Sequence, residues 1–157
     1  MPIRVVVQFA DSLSSLPESE SMHLPIAAEF EAWAEVAYRS VSFSGEIVVR
    51  IVDEREGREL NRRWREKDAA TNVLSFAGSD AGELVGDIVI CAPIVEREAS
   101  RDGKTSKAHW AHLFVHGLLH LLGYDHDTAE DAASMEAIEI AILKQLGFPD
   151  PYDIRDS

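Results

Sequence analysis

The sequence predicts an α+β fold: helices packed on a four-stranded mixed β-sheet, with one helix buried at the centre. Three observations predict it. Two β-branched runs, Ile3 to Phe9 and Glu46 to Val52, are each followed by a helical pattern of apolar residues. Thr71 to Phe76 and Leu84 to Cys91 bracket the stretch Ala-Gly-Ser-Asp-Ala-Gly, which has the composition of a hairpin turn. Between Thr105 and Leu122 the apolar residues lie on all sides of a helical wheel, the mark of a helix enclosed by others.

Each element has its own local reason. Ile3 to Phe9 reads as a strand, and Asp11 to His23 as an acidic, Ser-rich loop ending at Pro25. Ile26, Phe30, Trp33 and Ala37 recur at helical spacing and give one buried face. Ser42 to Gly45 is a turn into the strand Glu46 to Val52. Asp53 followed by Glu56 reads as a cap with its capping box, opening a helix to about Arg65 anchored by Leu60 and Trp64. After the hairpin, Pro93 fits the first turn of a short helix that stops near Gly103. Thr105 caps the central helix. Thr128 with Asp131 caps a last helix, whose expected stripe is Met135, Ile138, Ile142 and Leu146, ended by Gly147 and Pro149. The order is β-α-β-α-β-β-α-α-α with no repeat or linker, so residues 1–157 read as a single domain.

Composition excludes several classes of protein. No apolar run approaches the roughly 18 residues of a membrane helix. Ile3 to Phe9, interrupted by Arg4 and Gln8, is too short for a signal peptide. Cys91 is the only cysteine, which forbids an internal disulfide and fits a reducing cytoplasm. Ending an apolar run, it is expected to be buried and inert. The net charge of −13 opposes generic nucleic-acid binding. Charge is unevenly spread, however: residues 50–67 hold seven basic and five acidic side chains, a local +2 against −15 elsewhere. Arg97, Arg101, Lys104 and Lys107 form a second basic group ahead of the central helix. Solvated helix faces with pairs such as Glu54–Arg58 and Glu59–Arg63 account for most of these residues.

The chemistry resides in His116-Gly-Leu-Leu-His120-Leu-Leu-Gly123-Tyr-Asp-His126. Two histidines four apart on a helix stand one turn above each other, with Cβ atoms roughly 5–6 Å apart, a gap suited to sharing one ion. Gly123 takes the left-handed conformation that ends a helix, so the chain can turn back and bring His126 to the same place. Three neutral imidazoles with one open position make the donor set of a catalytic zinc site. His116, His120 and His126 are therefore the expected ligands of one metal ion per chain. The ion is zinc by this reading, although Ni, Cu or Fe also suits imidazole. His109 and His112 share a helical arc of about 80° with His116 and His120. They are expected as core residues or as supports behind the ligands. Asp125 and Asp127 flank His126 and are the expected carboxylate partners of a ligating ring, with helix capping the alternative for Asp127.

The spacing matches the metzincin-like zinc-peptidase pattern H-E-x-x-H-x-x-G-x-x-H at every position but one. Gly117 stands where those enzymes carry the glutamate that acts as general base. Peptide hydrolysis is disfavoured by that absence. Phosphodiester cleavage stays open, because charge stabilisation carries much of that reaction and zinc lowers the pKa of a bound water to about 7.

The same string is similar to the H-G-x-L-H-L-x-G-Y-D-H signature of the bacterial YbeY family, endoribonucleases of ribosomal RNA maturation. Leu60 to Phe76, Gly86 to Ile90 and Ala108 to His112 fit that family as well, so the resemblance runs from about residue 46 to 152. The first forty residues match only in general character. The resemblance implies the same α+β fold, a metal-dependent endoribonuclease, and ribosomal RNA with the small ribosomal subunit or its proteins as partners, and no DNA. It also implies that Arg65, in the string Arg65-Glu-Lys67-Asp68, matches the family's functional arginine. A guanidinium fork bonds two phosphate oxygens at once, whereas a helix-terminal arginine favoured by the macrodipole is the plain alternative. Asn72 and Ser75 are expected to line the cleft, with plain polar strand positions the equal alternative, and Asp87 to support the sheet or the site backbone. Met135 is expected in the core. Besides the ribonuclease, two further readings stand: a cytoplasmic zinc peptidase, and a non-catalytic assembly factor whose metal holds the fold.

Overall fold

A computed structural model describes residues 3–15, 24–41, 43–65, 71–80 and 83–152, apart from the side chains at 14, 15, 64, 65, 79, 80, 83 and 84. Parts of the expected acidic loop (16–23) and of the turn at Ser42 lie outside the described residues. So do Lys67 and Asp68, the hairpin tip at 81–82, and the side chains of Trp64 and Arg65.

The elements follow the expected order. Strand β1 (Ile3–Phe9) precedes helix α1 (Ala27–Ser40), strand β2 (Gly45–Val52) and helix α2 (Glu54–Arg65). Strands β3 (Val73–Asp80) and β4 (Glu83–Cys91) form the hairpin, and helices α3 (Ala92–Arg101), α4 (Ser106–Leu121) and α5 (Ala129–Gln145) complete the fold. The sheet order is β1-β2-β4-β3. β1, β2 and β4 run parallel, and β3 pairs antiparallel with β4 at one edge. Two differences from the sequence reading concern the acidic loop and the hairpin. The loop opens with a 3-10 turn, Asp11–Ser15. β3 continues past Phe76, because Ala77 to Asp80 pair with Gly86 to Glu83, so only two residues remain for the connection.

The helix caps behave as their chemistry dictates. Asp53 Oδ1 accepts the Glu56 N–H at 2.9 Å, Thr105 Oγ1 accepts from Ala108 at 3.2 Å, and Thr128 Oγ1 from Asp131 at 3.0 Å. The Glu56 carboxylate does not return to the cap as a capping box would. It is taken by Arg50 of β2 instead. Glu59–Arg63 forms at 3.5 Å, whereas Glu54 pairs with Arg97 of α3 rather than serving only its own helix.

Alternation along the strands splits the core between the two faces of the sheet. Ile47, Val49 and Ile51 of β2 and Ile88 and Ile90 of β4 face the main core, with Phe30, Trp33, Phe114, Leu118 and Met135 of the helices. Phe30 meets Trp33 and Phe114 edge to face, at 5.2 and 5.3 Å between centroids. Val52, Leu74, Val89 and Cys91 point the other way, where Leu60 of α2 and Ile94 of α3 cover them. α2 therefore lies across the sheet from α4. Its Gly57 faces Cys91 and Val52, which lie 3.6 Å from where a β-carbon would stand, an ordinary van der Waals separation. Among the described residues no helix is long and apolar enough to cross a membrane.

Cys91 is 1% exposed, and burial pushes its thiol up to about 11, with the Glu54 charge adding to the effect. At pH 8 the reactive thiolate is then on the order of one part in a thousand. Native protein should consume no equivalent of a disulfide reagent at that pH, and one equivalent after denaturation. Rapid stoichiometric reaction of the folded protein would contradict this burial.

Candidate metal centre

Helix α4 is enclosed as its sequence requires. Trp110, Leu113, Phe114, Val115, Gly117, Leu118, Leu119 and Leu121 are all buried, and His109 with them. Its C-terminus is closed by a Schellman arrangement: Gly123 N–H bonds to His120 O at 3.0 Å and Tyr124 N–H to Leu119 O at 3.0 Å. Gly123 has φ +97, a conformation that a β-carbon would oppose. That reversal returns His126 to the helix face.

The three expected histidines come together. One ring nitrogen from each of His116, His120 and His126 lies within 4.8 Å of the others. The ring centroids stand 4.7 Å (116–120), 5.1 Å (120–126) and 5.7 Å (116–126) apart. His116 Nε2 and His120 Nε2 face each other at 3.2 Å. His116 and His120 are partly buried, and His126 closes the group from the solvent side. Burial holds the His120 imidazole below its ordinary pKa, and His116 and His126 beside it add to the effect, so the ring is neutral at pH 7. Neutral imidazole is the form that donates a lone pair to a cation.

Arg65 ends the backbone of α2, and its side chain lies outside the described residues. The other expected polar residues are engaged as follows. Ser75 Oγ donates to Gly117 O at 3.1 Å, tying the edge strand to the site helix. Asn72 Nδ2 donates to Glu98 at 3.0 Å. Asp87 is an exposed residue of the β4 ladder, and Met135 is 1% exposed in the core. Asp125 accepts from the Asp127 N–H at 3.3 Å in a local turn.

The carboxylate behind the histidines is Glu139, which the sequence reading passed over. It is 0% exposed, and its oxygens lie 2.9 Å from His112 Nε2, 3.3 Å from His116 Nδ1 and 2.9–3.0 Å from the Tyr152 hydroxyl. The signal was its position: Met135, Glu139 and Ile142 share one helix face, so the carboxylate interrupts the apolar stripe where Ile138 had been expected. Ile138 is only partly buried. His109 forms a parallel pair, its Nε2 at 3.0 Å from Glu98 Oε1 of α3.

The position of a peptidase base is closed. A Cβ on Gly117 would lie 3.0 Å from Ile88 Cγ2 and 3.1 Å from Ser75 Oγ, so this residue faces the sheet and not the three rings.

Comparison with known proteins decides the family. A profile described as endoribonuclease YbeY matches residues 17–147. The endoribonuclease YbeY of Stutzerimonas stutzeri is 56% identical over 133 residues, covering 82% of this chain and 83% of that one. The chain belongs to the endoribonuclease YbeY family. The YbeY protein of Pseudomonas fluorescens is 50% identical over 142 residues, covering 87% of this chain and 93% of its own. Among solved structures, the solution structure of TM1509 from Thermotoga maritima superposes with a TM-score of 0.56 over 96% of this chain and 99% of that one. At 23% identity that likeness concerns the fold. The YbeY match begins at residue 17, so it takes in α1 and β2 and extends well before residue 46, where the sequence resemblance started.

Gly117→Glu tests the closed position. The variant should lose about 3 kcal/mol of stability or more in denaturant unfolding, from overpacking and a buried carboxylate. It should gain no peptidase activity on an unfolded protein substrate. A stable variant that cleaves peptide would show that position 117 can reach the histidine group.

Proposed function

We propose that this chain is a cytoplasmic, single-domain metallo-endoribonuclease. It hydrolyses phosphodiester bonds of single-stranded ribosomal RNA, in 16S rRNA 3′-end maturation and ribosome quality control, with the small ribosomal subunit or its proteins as partners. The observation that carries the proposal is the convergence of three imidazoles in a chain whose relatives are named endoribonucleases.

The donor set fits a divalent transition metal. Glu139 offers only acceptors, so the proton of neutral His116 belongs on Nδ1, leaving Nε2 a bare lone pair. That lone pair faces His120 Nε2 at 3.2 Å, with His126 alongside. His116, His120 and His126 would hold one zinc ion, or nickel or a similar metal, per chain. When bound, such an ion supplies Lewis acidity and lowers the pKa of a coordinated water toward neutrality.

The protein's own contribution is positioning and charge. Gly117 provides no general base, which leaves a reaction dominated by charge stabilisation. Arg65 is proposed to meet the negative charge that develops on the phosphodiester. It lies six residues before Thr71, and the Val73 side chain at the start of β3 packs beside Gly117 of the site helix. Lysine would be a poor substitute, because a point charge lacks the bidentate fork.

The test is single-turnover cleavage of structured RNA by metal-replete protein at saturating substrate. His116→Ala should abolish cleavage. Arg65→Ala should lower the rate on the order of 100-fold or more with a smaller loss of RNA affinity, and Arg65→Lys should restore little. Arg62→Ala, an exposed residue of the same helix, should stay near wild type. No cleavage by the wild type would favour the non-catalytic assembly factor, and a full rate in Arg65→Ala would remove that residue from the mechanism.

Metal removal should destabilise without unfolding, because α4 is buried by its apolar side chains whether or not an ion is present. A metal at a hundredfold excess over its Kd adds about 2.7 kcal/mol, roughly 5–10 °C in Tm for a chain of this size. Chelator-treated protein should show that fall while its far-ultraviolet circular dichroism at room temperature stays helical. Complete loss of helix would contradict the expectation.

A further inference from the structure

We infer that Glu139 is a positioning residue for the metal site, fixing the tautomer and orientation of His116, and that Tyr152 and His112 hold Glu139 in place for that task. The inference rests on the metal-binding reading of His116, and extends it to residues from α5 and the chain beyond it.

The geometry makes the assignment. Glu139 is fully buried on α5, and no lysine or arginine pairs with it among the described residues. A carboxylate removed from water needs both donors and compensating positive charge. Three donors converge on it: His112 Nε2 at 2.9 Å, the Tyr152 hydroxyl at 2.9 and 3.0 Å, and His116 Nδ1 at 3.3 Å from both oxygens. The compensating charge must then come through the imidazoles, either as a proton or as a cation held on their other nitrogens.

His116 is the ring through which that coupling runs. An acceptor-only carboxylate at Nδ1 selects the tautomer with its proton there, which bares Nε2 toward His120. His112 cannot serve the same purpose, since its Nε2 is already occupied by Glu139 and its Nδ1 is buried without a partner among the described residues.

Tyr152 completes the device from outside the helices. Its ring packs edge to face on His112 at 5.3 Å, and Lys104 Nζ donates to the carbonyl of neighbouring Pro151 at 3.0 Å. Phe148 packs on Trp33 at 6.4 Å. The segment after α5 is therefore tied to α1, to the connection between α3 and α4, and to His112 of α4, and delivers one hydroxyl to the buried carboxylate.

Glu139 as a direct ligand is the competing arrangement, since His112, His116 and Glu139 also have ligand atoms within 4.8 Å of one another. Its oxygens are already engaged by three donors, and an ion placed there would have to displace them.

The test has two readouts on Glu139→Gln and Tyr152→Phe. Nitrogen NMR of metal-free protein should place the His116 proton on Nδ1 in the wild type. Glu139→Gln should shift it toward a mixture, and Tyr152→Phe should shift it less. Zinc affinity, measured by competition with a chromophoric chelator, should fall about 10–100-fold in Glu139→Gln. A purely structural glutamate would lower the Tm of metal-free and metal-loaded protein equally and leave tautomer and affinity unmoved, which would overturn the inference. Complete loss of zinc binding in Glu139→Gln, with the His116 tautomer unchanged, would also overturn it in favour of direct ligation. If Glu139→Gln does not fold, Tyr152→Phe carries the test, since Tyr152 is 38% exposed. An unshifted tautomer and affinity there would overturn the Tyr152 part and with it the inference. Absence of metal binding in the wild type would sink the metal reading alone, because the tautomer in metal-free protein is read independently of it.

Discussion

Burying a helix that carries a row of imidazoles obliges its neighbours to supply partners for them, and much of the arrangement around α4 follows from that obligation. His109, His112, His116 and His120 lie along one side of a helix whose other sides are apolar and enclosed. Each ring has two nitrogens, and a buried polar group without a partner costs about 1–3 kcal/mol. α3 answers with Glu98 at His109, and α5 with Glu139 at both His112 and His116. The last pair, His116 and His120, is left facing each other, with His126 brought in by the turn at Gly123. A cation is the partner that would satisfy all three nitrogens at once.

The two carboxylates do this at different depths. Burial alone would push the Glu139 carboxyl upward, yet the hydrogen bonds from His112 and His116 outweigh it and hold the group down at about 2. Tyr152, by contrast, is pushed well above the usual phenol range by burial and by the negative charge of Glu139 next to it, so it remains a donor. For His109, burial prevails over Glu98 and lowers the imidazole pKa. A fully buried carboxylate held as an anion by two imidazoles and a phenol, with no lysine or arginine among the described residues, is an uncommon arrangement. It makes chemical sense where those imidazoles meet a positive charge.

The sheet supplies the second constraint. The edge strand β3 and its neighbour β4 are laid over α4, and the contact is tight enough that position 117 of the helix and position 86 of β4 carry glycine, with Ile88 and Leu121 in the space a side chain would need. Close packing here removes the site at which a zinc peptidase would place its base. The same sequence pattern that suggests a peptidase therefore belongs to a helix whose glycine face is turned into the sheet. Reaction types that need no carboxylate at that position are the ones this surface can serve.

The sequence by itself determined the element order, the caps at Thr105 and Thr128, the buried central helix and the grouping of His116, His120 and His126. Each of these rests on local rules: apolar periodicity, side-chain capping within three residues, and a glycine reversal within a span of eleven residues. It did not show which carboxylate backs the three histidines. Asp125 and Asp127 were near in sequence but engaged in their own turn, while Glu139 lay on the next helix, 23 residues from His116. Nor did it show that Arg50 takes Glu56 from the capping box, or that Tyr152 reaches into the site from beyond α5. Those decisions belong to the tertiary structure, because a buried charge must find its partner in space, and proximity along the chain does not determine which helix face will bring one.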